Sequence, residues 1–291
     1  MLLEETASCY PVIRIGEAEI LQQKKYGELE YLCFPQLAKT GIADHLFTTR
    51  MGGVSTGIFS SLNLSYTRGD EAGAVDENFR RVAAIFDETP DRIVCSHQTH
   101  TTNVRLVTEE DAGKGVTRER EFTDVDGLIT DTPGLLLATF YADCVPLFFV
   151  DVRHKAIGLS HSGWRGTVER MGEKTLLAMK NAFGTRPEDV YAAIGPSICA
   201  DCYEIGFDVA EPFLKEFPEQ KGIVLPGKKE GKYQLDLWKA NETVLLDAGI
   251  LKEHLEITDI CTCHNPDYLF SHRASHGKRG NLAAFMELRK S

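Results

Sequence analysis

The sequence predicts an α/β fold, and three observations carry that expectation. The runs LLLATF, VPLFFVD and KAIGLSHS are near-continuously apolar rather than alternating, which suits strands covered on both faces. Segments with apolar residues spaced along one helical stripe follow or precede them, such as Thr167–Phe183 with Val168, Met171, Thr175, Ala178, Met179 and Ala182. A helix also follows the strand KAIGLSHS at once. That places the loop Ser162-Gly163-Trp164-Arg165-Gly166 between a strand's end and a helix N-terminus, where α/β proteins bind ligands and anions best.

Taken in order, residues 10–40 read as a strand-rich edge with turns at Gly16 and Gly27. LFTTR is a strand ending at Arg50 that breaks into a loop with Gly52, Gly53 and Gly57. Those glycines permit close approach of a ligand, although an ordinary surface loop is the plainer reading. A helix from Ala74 to Phe86 buries Val75, Phe79, Val82, Ala83 and Phe86. RIVC enters the polar knot Ser96-His97-Gln98-Thr99-His100, and a second strand follows. Residues 108–123 are charged and expected to form a surface excursion, after which DGLIT (Asp126–Thr130) returns to the core.

LLLATF through VPLFFVD is expected as one buried stretch, turning at Arg153-His154-Lys155 into KAIGLSHS. Beyond the helix 167–183 come a strand at Val190–Ile194, the CADCYEIG loop and a helix over Phe207–Phe217. A Gly/Lys-rich surface loop (218–233), a helix over Asp236–Gly249, a strand at Ile257–Cys261 and a last strand at Asn281–Leu288 complete the chain. No repeat, low-complexity tract or linker marks a boundary, so residues 1–291 are expected as a single domain.

Composition narrows the function. With 291 residues and 43% hydrophobic content the chain can bury a sizeable core. A net charge of -11 without a basic run argues against nucleic acid as the main partner, while leaving room for a local cationic pocket. No apolar segment reaches the ~18–20 residues of a membrane span, and MLLEETASCYP is not a basic leader followed by an apolar core, so a cytoplasmic protein is expected. Among eight cysteines, Cys199/Cys202 and Cys261/Cys263 together offer four thiolates for a structural zinc. The single residue between Cys261 and Cys263 is short for zinc pairs, so the plainer reading of most of the eight is a reduced, buried, small apolar residue.

There is no Walker loop or dinucleotide fingerprint. What remains is a Cys/His/His set at strand ends: His100, Cys144 and His161. In an extended segment His97 and His100 point to opposite sides, so only one of them serves as a ligand. A thiolate with two imidazoles is a donor set zinc takes readily, and three protein ligands leave a fourth position for water or substrate.

The segments TTRMGGVSTGIFSSLNLS, ENFRRV, HQTH, DGLIT, YADCVPL, HSGWRGT, IGPSI, CYEIG and FSHR span about residues 43–288. Together they resemble the YfiH- and YlmD-like laccase-domain family, formerly called multicopper polyphenol oxidoreductases and now regarded as purine nucleoside phosphorylases. The resemblance implies mixed β-sheets sandwiched between helices, similar to the catalytic domain of cytotoxic necrotizing factor toxins. Its zinc ligands fall on His100, Cys144 and His161. The implied reaction is phosphorolysis of adenosine, inosine, guanosine or methylthioadenosine to the free base and ribose-1-phosphate, accompanied by adenosine deamination.

Deamination needs an activated water at the six-position of adenine, which an open zinc site supplies; phosphorolysis needs a cationic cradle and a protonated leaving purine. Arg50, Arg165 and Arg273 are the candidates for the cradle, with Arg279 in the following Gly-x-x-Gly able to complete it. His97 is a candidate proton shuttle. Asp143 is either a catalytic carboxylate or a hydrogen-bonded structural one, facing away from the zinc. Phe140, Tyr141 and Trp164 are core residues by default and stacking partners for a purine by the resemblance. The expected partners are purine nucleosides and phosphate, with no nucleic acid or membrane, and the chain is expected as a monomer or weak homo-oligomer.

Two other readings stay open. Copper-dependent oxidation of phenols is the family's older assignment, and copper outcompetes zinc at most such sites. Nine histidines without a His-x-His pair make a poor multicopper set. Alternatively Cys144 is a nucleophile with His161 as its base, in an amidase or other hydrolase.

Overall fold

The computed structural model describes residues 5–16 and 19–290. Positions 1–4 of the N-terminal segment, and 17 and 18 of the expected 10–40 edge, lie outside the described residues. The chain opens with strands β1 (Glu5–Ala7), β2 (Gln22–Tyr26) and β3 (Leu29–Cys33), helix α1 (Pro35–Lys39) and β4 (Ala43–Thr48). Helix α2 (Ala72–Ala83) precedes β5 (Ile93–Cys95), β6 (Val104–Leu106), β7 (Gly127–Thr130), β8 (Leu136–Tyr141), β9 (Val145–Asp151) and β10 (Ala156–Ser162). Then come α3 (Trp164–Val168), α4 (Met171–Phe183), β11 (Val190–Ile194), β12 (Glu204–Ile205) and α5 (Phe207–Glu216). The last elements are β13 (Val224–Pro226), β14 (Tyr233–Leu235), α6 (Leu237–Asp247), β15 (Leu255–Ile257) and β16 (Leu282–Leu288).

The strands form a seven-stranded sheet in the order β1-β2-β3-β4-β16-β8-β5, a six-stranded sheet in the order β15-β11-β9-β10-β7-β6, and a small sheet β12-β14-β13. Both large sheets are mixed: β5 with β8, β6 with β7, and β11 with β15 are parallel pairs among antiparallel ones. Side chains alternate across each strand, so a fully apolar strand feeds two cores. From β16, Leu282, Ala284 and Met286 enter the layer between the large sheets, while Ala283 and Phe285 join Val75, Phe79 and Val82 of α2 on the outer side. From β9, Phe148 and Val150 point inward, and Leu147 and Phe149 join Leu176 and Met179 of α4 and Val244 of α6. The result is helix, sheet, sheet, helix, the expected sandwich. Each large apolar side chain so buried contributes roughly 1.5–3 kcal/mol relative to exposure. Among the described residues no helix is long and apolar enough to cross a membrane.

Four expectations need correction. LLLATF and VPLFFVD are not one stretch: β8 belongs to the seven-stranded sheet and β9 to the six-stranded one. The chain changes sheet at Ala142-Asp143-Cys144, where Asp143 takes a left-handed φ of 89°. Composition hides the crossing because strands on either side are equally apolar. The helix expected over 167–183 breaks at Arg170, which has φ 63° and is held by Glu173, Glu216 and Asp247, so α3 starts three residues earlier at Trp164. The 218–233 loop contains β13. The strand expected at 257–261 lies at 255–257 instead, and Ile260 and Cys261 make only isolated bridges, to Arg14 and Ser197.

Candidate active site

The inward alternation of Ile157 and Leu159 along β10 carries His161 to the end of the layer between the sheets. There its Nδ1 meets Asp126 Oδ2 at 2.7 Å, and its ring lies 5.6 Å from that of Tyr141. Asp126 is fully buried at the entry to β7. A buried carboxylate is costly unless its lone pairs are filled. Here Oδ1 accepts from the amides of Thr99 and Thr101, both at 3.0 Å, and from Thr101 Oγ1 at 3.1 Å, and Oδ2 also accepts from the His100 amide at 3.1 Å. Burial alone would raise its pKa, but His161 and these amides outweigh it and hold the carboxyl below its ordinary value. One carboxylate therefore orients the His161 ring and folds the loop that carries His100. With Nδ1 engaged by Asp126, Nε2 is the His161 nitrogen left for another partner.

His100 sits on that loop with a left-handed φ of 64°, and Cys144 follows the sheet crossing. One ligand atom each of His100, Cys144 and His161 lies within 4.8 Å of the others, and the two imidazole centroids are 4.9 Å apart. Partial desolvation of its ring and the neighbouring His161 lower the pKa of His100, which favours the neutral, donor form. Burial also acts to lower His161, but Cys144 and Asp126 outweigh it and hold the ring at about 9. Gly163, at the N-terminus of α3, completes the arrangement. A Cβ there would lie 2.7 Å from His100 Nδ1 and 3.3 Å from Cys144 Sγ. Its φ of -72° is open to any residue, so the space and not the backbone calls for glycine.

The three donors line a cavity of about 700 Å³ together with His97, Phe140, Tyr141 and Arg279. His97 accepts from the Asp124 amide at Nδ1, 3.1 Å. Gln98 clips the loop to β8, accepting from the Phe140 amide at 2.6 Å and donating to its carbonyl at 2.7 Å. Segment 108–123 is not a plain surface excursion, because Arg118 and Arg120 wall the cavity. Asp143 accepts from Thr262 Oγ1 at 2.6 Å and from the Arg273 amide at 2.7 Å.

The arginines divide. Arg50 donates to the carbonyls of Ser60 and Pro266 at 2.7 and 2.8 Å, beside the Phe270 ring. Arg273 donates to those of Cys202 and Glu204 at 3.0 and 3.2 Å. Both are thereby fixed into the scaffold. Arg165 is exposed on α3 over Trp164, and its charge reaches His100. Arg279 lines the cavity with a buried Nε that has no hydrogen-bond partner, and burial followed by Arg68 lowers its pKa to about 10. Sequence reasoning missed Asp126 as a functional residue. The available signal was an acid at the mouth of a strand otherwise wholly buried.

A family model described as multi-copper polyphenol oxidoreductase laccase matches residues 44–289. The chain belongs to this family. It is 34% identical over 249 residues to purine nucleoside phosphorylase YlmD of Bacillus subtilis (strain 168), covering 84% of this chain and 88% of that one. It is 32% identical over 249 residues to adenosine deaminase RL5 from an unknown prokaryotic organism, covering 84% and 94%. The crystal structure of YlmD from Geobacillus stearothermophilus superposes with a TM-score of 0.82 at 34% identity, covering 96% of this chain and all of that one. The older oxidase description and the relatives' phosphorylase and deaminase names thus meet on one fold. Among the described residues, the clusters of three or more metal-ligating side chains each hold at most two histidines, which is unlike a multicopper set.

Proposed function

We propose that the chain is a zinc-dependent purine nucleoside phosphorylase. It would convert adenosine, inosine, guanosine or methylthioadenosine and phosphate to free base and ribose-1-phosphate, with adenosine deamination as an accompanying activity. The observation that carries this reading is the Cys/His/His set facing a nucleoside-sized cavity, with Asp126 orienting His161. The donors suit zinc in type and number, and Gly163 leaves unfilled the space a Cβ would occupy beside His100 and Cys144. A zinc held by His100, Cys144 and His161 would supply Lewis acidity toward water or the purine.

The remaining work falls to the chain. Phe140 and Tyr141 offer the apolar wall on which a purine packs. Arg165 and Arg279 supply positive charge for phosphate, with Arg50 and Arg273 in supporting positions. His97, held through Nδ1, keeps its other nitrogen for a proton. The relatives named as phosphorylases and as a deaminase support the two activities. The reading takes the protein as cytoplasmic, a monomer or weak homo-oligomer, with nucleosides and phosphate as its partners.

The test is metal content together with phosphate-dependent release of adenine from adenosine, on wild type and Cys144→Ala. Zinc at the site and release that needs phosphate, both lost in the variant, support the reading. A requirement for copper and turnover of a phenol would replace it with the oxidase. The chain Cys144, His161, Asp126 also has the form of a nucleophile, base and orienting carboxylate, which favours the hydrolase as the second reading. Rapid alkylation of Cys144 by iodoacetamide in zinc-loaded protein, with no dependence on phosphate, would select it.

A further inference from the structure

Outside the cavity, a second group of donors converges. One ligand atom each of Cys199, Cys202, Cys261 and His264 lies within 4.8 Å of the others. The sequence spacing is informative once the true members are known: Cys199-Ala200-Asp201-Cys202 and Cys261-Thr262-Cys263-His264 each leave two residues between ligands, within the two to four of structural zinc pairs. The fourth donor is His264 and not Cys263, which removes the spacing objection raised by the sequence. The first pair sits on a tight turn after β11, closed by the Cys202 and Tyr203 amides on the Cys199 carbonyl at 3.1 and 3.0 Å. The second pair follows β15 and is tied to the first by the Cys199 amide on Cys261 Sγ at 3.3 Å and the Thr262 amide on the Ser197 carbonyl at 3.1 Å.

We propose that Cys199, Cys202, Cys261 and His264 bind a second zinc ion, structural in role. Zinc-to-sulfur bonds of about 2.3 Å put sulfurs about 3.8 Å apart at the corners of a tetrahedron, a spacing the four donors can reach with small side-chain rotations. His264 presents Nδ1 to Cys199 Sγ at 3.8 Å, and its Nε2 lies 3.7 Å from Asp201 Oδ2, the carboxylate that would set the ring's tautomer. A disulfide is the competing use of these sulfurs. It would consume two of them and leave the third thiol and the imidazole converging on nothing.

The ion would act on the catalytic side through Asp143. The Asp143 carbonyl accepts from the Ile198 amide at 3.0 Å, next to Cys199, and its carboxylate holds Thr262 between the other two donors. Arg273, anchored on the Cys202 carbonyl, closes the same knot. The ion thus fixes the two loops that seat the residue before Cys144.

Elemental analysis of reduced, zinc-loaded protein tests this without any activity measurement, so its failure is separate from failure of the phosphorylase reading. The expected counts are two zinc ions per chain in wild type, and one each in Cys144→Ala and Cys202→Ser. Cobalt(II) added to metal-free Cys144→Ala protein should bind one equivalent, with tetrahedral visible bands and the thiolate charge-transfer intensity of three sulfurs. That titration answers even where Cys202→Ser does not fold. A wild-type count unchanged by Cys202→Ser or His264→Ala, or no cobalt–thiolate band in Cys144→Ala, overturns the proposal. So does a disulfide among these cysteines in protein isolated under reducing conditions.

Discussion

Gly163→Ala isolates the geometry of the candidate active site from the stability of the fold. The added Cβ would stand 2.7 Å from His100 Nδ1, and ordinary contact begins at 3.4 Å, so the imidazole must retreat by about 0.7 Å. Metal–ligand distances tolerate about 0.2 Å. His100 is exposed and can move away, and the φ of -72° at Gly163 accommodates alanine without strain. Fold stability should therefore hold or rise slightly, as for other glycine-to-alanine changes at compatible angles. Zinc affinity at the three-donor site should fall about 10–100-fold, the range for changes that disturb ligand orientation, or about 1.4–2.7 kcal/mol. Competition of the protein with a chelating zinc indicator measures the affinity, and thermal unfolding of the metal-free protein measures the fold. Adding His100→Ala should remove most of the alanine's effect, since the nearest clash partner is gone and only the 3.3 Å approach to Cys144 Sγ remains. Unchanged zinc affinity in Gly163→Ala would refute the arrangement of His100, Cys144 and Gly163 argued above.

Asp126→Asn keeps the shape but removes the charge that sets the His161 tautomer; zinc affinity should fall about 10–100-fold, read by the same competition. Arg165→Ala should raise the KM for phosphate about 10-fold or more, from loss of a charge-assisted contact, while the KM for nucleoside changes little. An unchanged phosphate KM would remove Arg165 from the cradle. Glu287, buried opposite Asp44 in the β16–β4 pairing, has an unpartnered oxygen, and burial followed by Glu88 and Asp44 raises its pKa from 4.5 to about 8. Between those values the folded chain holds a proton that the unfolded chain has lost. Stability should therefore decline as pH rises through that window, by at most about 1.4 kcal/mol per unit. Denaturant unfolding at pH 6 and pH 8 should show the decline in wild type and a flatter profile in Glu287→Gln.

Much of this was legible in the chain itself. The donors His100, Cys144 and His161 stood at strand ends in the sequence and converge in the structure, because strand alternation and the ends of apolar runs are local signals. What was hidden depends on partners distant in sequence. Asp126 reads as the start of a strand until the loop around His100 folds over it, 26 residues away along the chain. His264 reads as an isolated histidine until residue 199, 65 positions earlier, is beside it. The separation of β8 from β9 was invisible for a different reason: hydrophobicity reports that a strand is covered, and not by which sheet it is owned. The break at Arg170 was concealed by an unbroken apolar stripe on both sides, and its causes, Glu216 and Asp247, lie on other helices.

The chain passes from the seven-stranded to the six-stranded sheet between β5 and β6 and again between β8 and β9, and those two passages are the segments that deliver His100 and Cys144. His161 comes from β10, in the six-stranded sheet itself. The separation of the donors is accordingly a reading of how far apart the two sheets stand, as if the site were a caliper closed on the core. Side chains such as Phe148 and Leu137, which set that thickness from within, therefore tune the donor spacing without touching the cavity. A large-to-small exchange there would shift the donor spacing as well as cost the fold about 2–5 kcal/mol.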